Sequence, residues 1–232
     1  MVPITHADEE LFGTVVIAAR LGGARAIVER LSARYEQEWA DPRAGLPYAL
    51  SMLALLRSGR QDLRDQLHYT EIVETLGDLL YHEPDHWLGR FLRIHTRLLL
   101  PADAGEHRHY IAAERARAAQ DADELIARQA RAAWQPWFAC PYLLAARLAW
   151  ESGDRDRDRV AALVSAAAAG AADATRPGEP VRFRALGGVM CEAFLWYHNQ
   201  PGMPEHDTVG AMMDTLFPDQ PAVRRVRADR SP

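Results

Sequence analysis

Apolar side chains recur at three- and four-residue spacing along most of this chain, and that period admits helices and little else. In "QDLRDQLHYTEIVETLGDLLYH" the apolar side is Leu63, Leu67, Ile72, Leu76, Leu79 and Leu80. Upstream, Leu11, Val15, Ala18 and Ala19 form a first helix that Thr5 can cap, with Asp8 and Glu9 in its first turn. Gly22-Gly23 interrupts, and a second helix runs to about Trp39. A polar, alanine-rich helix is expected over about 105–133. "VRFRALGGVMCEAFLWYHNQ" and "EHDTVGAMMDTLF" follow as the last two helices. The reading is an all-α chain of about ten helices with no convincing strand. It forms one domain over 1–220, followed by a polar tail over 221–232.

The punctuation suggests how these helices pair. Prolines at 47, 84, 141 and 180 read as helix openers, since proline fits the first turn, where its missing amide costs nothing. "PYALSMLALLRSGR" (47–60) aligns without gaps to "PYLLAARLAWESGD" (141–154). Both begin Pro-Tyr, carry leucine at the fourth position and end Ser-Gly before a polar residue. Proline spacings of about 37 and 39 residues fall near helical-repeat periods. A hairpin with one apolar face cannot cover it alone, so neighbouring hairpins must stack.

"PYLLAARLAWESGDRDRDRVAALVSAAAA" resembles a tetratricopeptide-type hairpin. Small residues line its helix contact, Gly153-Asp154 makes the turn, and alanines recur in the second helix. "PYALSMLALLRSGRQDLRDQL" is a poorer copy, and together the resemblance covers about half the chain. The tryptophan-leucine-glycine-tyrosine spacing of that repeat is not present. The resemblance implies stacked antiparallel hairpins, as a solenoid or compact array, that cradle a protein or peptide segment.

Composition narrows the function classes. With 232 residues, 48% of them hydrophobic, the chain can bury a core without disulfide staples. No apolar run approaches the roughly 18 residues of a membrane span, and "MVPITHADEE" lacks the features of a signal peptide, so a cytoplasmic protein off the membrane is expected. A net charge of −5 argues against nucleic acid as a partner. All 27 basic residues are arginine, a bias spread over the whole chain that fits GC-rich coding. Cys140 and Cys191, far apart in sequence, read as small core residues.

One string looks catalytic. "HEPDHWLG" (82–89) fits the H-E-x-x-H pattern of zinc proteases. Such a site needs both histidines one turn apart on a continuous helix, and Pro84 stands between them. The longer protease pattern would need histidine at 92, where this chain has Leu92. The expectation is that His82 ends one helix and that Pro84 opens the next, with His86 in its first turn.

Five of the nine histidines (82, 86, 95, 107 and 109) fall between residues 82 and 109, near a polar stripe of Glu71, Glu74, Asp78 and His82. Facing helices bearing carboxylates and histidines build di-metal sites in helical bundles. Asp78-x-x-x-His82 also resembles a string of heme-oxygenase-like di-metal oxidases. An alternative function is therefore a helical metal-dependent enzyme holding iron, manganese or zinc through Glu71, Asp78, His82, His86 and His95. The plainer reading of the stripe is a solvated face, and the arginines at 90, 93 and 97 read the same way.

With no coherent catalytic constellation, the leading expectation is a non-catalytic binding module without a cofactor. Its candidate contact residues are Trp87, Arg90, Arg97, Trp134, Trp137, Tyr142, Trp196 and Tyr197, because tryptophan, tyrosine and arginine dominate binding hot spots. The partner is a protein or peptide, and a homodimer is compatible with either reading.

Overall fold

The computed structural model describes residues 1–2, 4–38, 41–56, 65–100, 108–152, 156–173 and 180–230. The fold is all-α. Among the described residues there are eleven α-helices and one short 3-10 turn, and the only extended pairing is an isolated bridge between Val2 and His86. No helix among them is long and apolar enough to cross a membrane. Packing groups the chain into two compact units, 1–121 and 122–232.

The first unit holds α1 (His6–Arg20), α2 (Ala24–Gln37), α3 (Pro42–Leu56), α4 (Asp65–His82), α5 (Trp87–Leu99) and residues 108–121 of α6 (Arg108–Gln129). Thr5 caps α1 as its sequence suggests. Its hydroxyl accepts from the Asp8 amide at 3.2 Å, and the Asp8 carboxylate accepts from the Thr5 amide at 2.8 Å. Helix α3 packs against α1, α2 and α4, and α4 against α5. The interior comprises Phe12, Val15, Leu50, Met52, Leu53, Ile72, Leu76 and Leu79. Leu63 and Leu67, expected on the apolar side of α4, lie outside the residues whose side chains are described.

The second unit contains the 3-10 turn Pro136–Phe138, α7 (Ala139–Glu151), α8 (Arg157–Ala172), α9 (Ala185–His198), α10 (His206–Leu216) and α11 (Pro221–Arg230). Helix α7 packs on α8 and α9, and α10 on α9 and α8. Asp156 caps α8 by accepting from the Arg159 amide at 2.9 Å. Cys140 and Cys191 are buried on α7 and α9, as expected of core thiols, and burial pushes the Cys140 thiol well up from its ordinary value.

Two sequence readings of helix ends need correction. Pro47 lies inside α3, which opens five residues earlier at Pro42, and Pro141 lies in the first turn of α7, which opens at Ala139. Pro141 sits where its missing amide costs nothing, whereas Pro47 is the sixth residue of α3, past the first turn, where proline forgoes an i→i−4 hydrogen bond, so neither proline marks the first residue of its helix. Residues 221–230, expected as part of a polar tail, form a helix. Pro221 starts α11, Val223 is fully buried, and the Arg227 guanidinium donates to Asp214 of α10 at 2.7 Å. Val223 and the Arg227–Asp214 contact are two points at which this largely polar helix meets the rest of the unit. The turn expected at Gly153-Asp154 lies outside the described residues.

Residues 47–56 and 141–151 of the aligned segments lie on the leading helix of a packed pair, α3 with α4 and α7 with α8. Their equivalent tyrosines differ. Tyr48 is buried, stacks on Tyr35 with centroids 5.6 Å apart, and donates to Glu71; Tyr142 keeps part of its surface exposed. Burial, and then the bond to Glu71, pushes the Tyr48 hydroxyl up to about 12. Burial does the same at Tyr197, whose hydroxyl donates to the Pro204 carbonyl. Both folded values lie above the ordinary value of 10.0. Their contribution to stability is therefore fully present below pH 10 and is lost as pH rises toward 12. Melting temperature is expected to begin to fall above pH 9.0, where the unfolded Cys140 thiol ionises and the buried one does not, and to fall further above pH 10.0 as the tyrosines follow. Tyr48→Phe should flatten that fall, by roughly 2–3 kcal/mol at most.

Candidate functional site

The string "HEPDHWLG" is a helix corner. His82 is the last residue of α4 and is exposed. The Val2 amide donates to the Asp85 carbonyl at 2.9 Å, and His86 then serves as N-cap of α5, its Nδ1 accepting from the Gly89 amide at 3.1 Å. The helix starts at Trp87, three residues after Pro84, so the proline shapes the turn before the cap and does not open the helix. Gly89 lets α4 and α5 approach closely, since a Cβ there would stand 2.8 Å from Leu79. The two histidines are thus spent on a helix end and a helix start.

The remaining metal candidates are separately engaged. Asp78 is exposed and accepts from the Tyr35 hydroxyl at 3.1 Å, and Glu71 accepts from Tyr48. His95 is buried with its ring parallel to Phe91, centroids 6.2 Å apart. His107 lies outside the described residues, and His109 is exposed. Among the described residues no three His, Cys, Asp or Glu side chains gather into a group that could hold a metal.

The arginine stripe of α5 is not solvated. Arg90, Arg93 and Arg97 meet α6 and converge on Asp121, itself 4% exposed. Asp121 accepts from Arg90 Nη1 at 3.1 Å, from Arg93 Nε at 2.8 Å, and from Arg97 Nη1. Arg97 Nε also donates to Glu114 at 2.9 Å, and Arg90 Nη2 to the Pro84 carbonyl at 3.0 Å. Arginines at offsets of three and seven on α5 face carboxylates seven apart on α6, which places all five groups along one helix contact. Arg90 and Arg97 therefore hold the first unit together from within and offer no surface to a partner. Trp87 is likewise buried, stacked on Phe91 at 5.1 Å, and Tyr197 is buried in the second unit.

The other four contact candidates keep exposed surface, all in the second unit. Trp196 lies beneath the Arg147 guanidinium, 4.9 Å from its ring centroid, and Trp137 packs on Phe183 at 5.4 Å. Trp134 and Tyr142 line a cleft of about 410 Å3 with Gln129, Ala130, Ala132, Ala133, Ala166, Gly170 and Asp173. The rings sit 6.2 Å apart, inclined by 32°, and Phe138 meets Trp134 edge-on beneath them. Gln129, buried, fixes the floor by donating to the Phe138 carbonyl at 2.8 Å.

Gly170 is what lets the Trp134 ring lie on α8. A Cβ there would fall 2.3–2.6 Å from three ring carbons. Gly170→Ala gains helix propensity but must expel the indole. Its expected effect is a stability change within about 1 kcal/mol, with the Trp134 emission shifting toward that of a solvated indole. The check is the difference spectrum between this variant and its Trp134→Phe counterpart.

Sequence reasoning missed Asp121, Glu114, Tyr35, Tyr48 and the cleft-lining Asp173. The matching spacing of the α5 arginines and the α6 carboxylates was the signal available for the first two. Compared with known proteins, the chain matches no family model, no curated protein and no solved structure.

Proposed function

We propose that this chain is a non-catalytic helical module that binds a protein or peptide segment, using the aromatic cleft of the second unit. The observation that supports this is the partial exposure of Trp134 and Tyr142 side by side over a cleft of about 410 Å3. Rigid aromatic rings give large contact area at low entropic cost, and a peptide anchor side chain fits such a volume. The Pro-Tyr recurrence adds to the reading. In the first unit the tyrosine is covered by Tyr35, whereas its counterpart Tyr142 faces the cleft.

Selection from a displayed library of random dodecapeptides tests it. Enriched peptides are expected to bind the native chain and to lose binding in the Trp134→Ala/Tyr142→Ala variant, whose fold is checked by circular dichroism. An unenriched pool, or peptides indifferent to both substitutions, would overturn the reading.

A further inference from the structure

Resting on that reading, we infer that the cleft takes a cationic anchor, the guanidinium of an arginine in the partner segment. Among the described residues that line the cleft, Asp173 alone carries a charge, and it is exposed there. Two helices end at this place. Helix α6 closes at Gln129 and α8 at Ala172, with Asp173 as the C-cap of α8. A helix C-terminus carries the negative end of the backbone dipole, so both ends and the carboxylate bias the cleft toward a cation.

The aromatic walls point the same way. The faces of tryptophan and tyrosine attract cations through their ring quadrupoles, and tryptophan does so best. The chain stacks an arginine on an indole elsewhere, Arg147 over Trp196 at 4.9 Å. A planar guanidinium can lie flat against Trp134 while its N–H groups reach the Asp173 carboxylate. A quaternary ammonium has no N–H to offer that carboxylate, and an apolar anchor makes no bond to it.

The probe is a capped glycine pentapeptide with one central arginine, titrated against the full chain by calorimetry or by Trp134 emission. Its counterpart carries citrulline, which keeps the shape and loses the charge. The arginine peptide is expected to bind and the citrulline peptide to bind at least roughly fivefold more weakly. Asp173→Asn, at an exposed position, should weaken the arginine peptide by a similar factor, and Asp207→Asn on α10, which removes the same charge outside the cleft, should not. Equal binding of the two peptides, or unchanged binding in Asp173→Asn, would overturn the inference. If the citrulline peptide binds equally and still depends on Trp134, the binding-module reading stands and the cationic anchor falls. Tetramethylammonium binding as tightly as the arginine peptide would also overturn it, by showing a site for compact cations. If neither peptide binds and the library yields nothing, both readings fall.

Discussion

Asp121→Ala is expected to lower the stability of the first unit by about 3–5 kcal/mol, the range found when one partner of a buried ion pair is removed. Asp121 accepts from Arg90, Arg93 and Arg97, and its removal takes away the carboxylate these three largely buried guanidiniums share. The loss is set by the stranded charges more than by the bonds themselves. Domains are stable by only about 5–15 kcal/mol, so the variant stands near the edge of folding. Chemical denaturation followed by far-ultraviolet circular dichroism is the check. A further variant separates the causes. Replacing all three arginines by methionine or leucine together with Asp121→Ala should recover much of the loss, because the stranded guanidiniums are then gone while Glu114 keeps its bond from Arg117.

Trp87→Ala is expected to cost about 3–5 kcal/mol, as large-to-small changes of fully buried aromatics do. Trp87 is 1% exposed and stacks on Phe91, directly after the His86 cap, so its removal opens a cavity at the start of α5. Trp134→Ala should cost far less stability, about 1–2 kcal/mol, since part of that ring already faces solvent. The binding reading reverses the ranking, with peptide binding lost at Trp134 and, where a Trp87 variant still folds, retained. Parallel melting and binding measurements on the two variants resolve the two roles.

The helices were legible because apolar spacing is a local property. Leu76 and Leu79 lie where their period puts them, in the core, and Thr5 caps α1 through contacts three residues away. What a polar face meets is not local. The α5 arginines read as a solvated stripe because the partner carboxylates, Glu114 and Asp121, lie 17 to 31 residues further on. A stripe facing water and one facing an oppositely charged helix have the same pattern. The same limit applies to the aromatics. Trp87 and Trp134 are equal as letters, and only packing buries one and leaves the other at a cleft. In "HEPDHWLG", Pro84 correctly ruled against a continuous helix through both histidines. The imidazole cap at His86 escaped notice because histidine is a rare choice for that place. The helix after Pro221 escaped for a related reason, since its sequence is mostly polar and Val223 is its one fully buried side chain among the described residues.

The central claim, that the chain binds a peptide segment at Trp134 and Tyr142, is tested most directly by fluorine NMR. Uniform incorporation of 5-fluorotryptophan labels all six tryptophans, and single Trp→Phe variants assign the resonances. On addition of a library-selected peptide, or the arginine pentapeptide, the Trp134 resonance is predicted to move to saturation while that of Trp87 stays in place. Saturable binding with the Trp134 resonance unmoved would contradict the account.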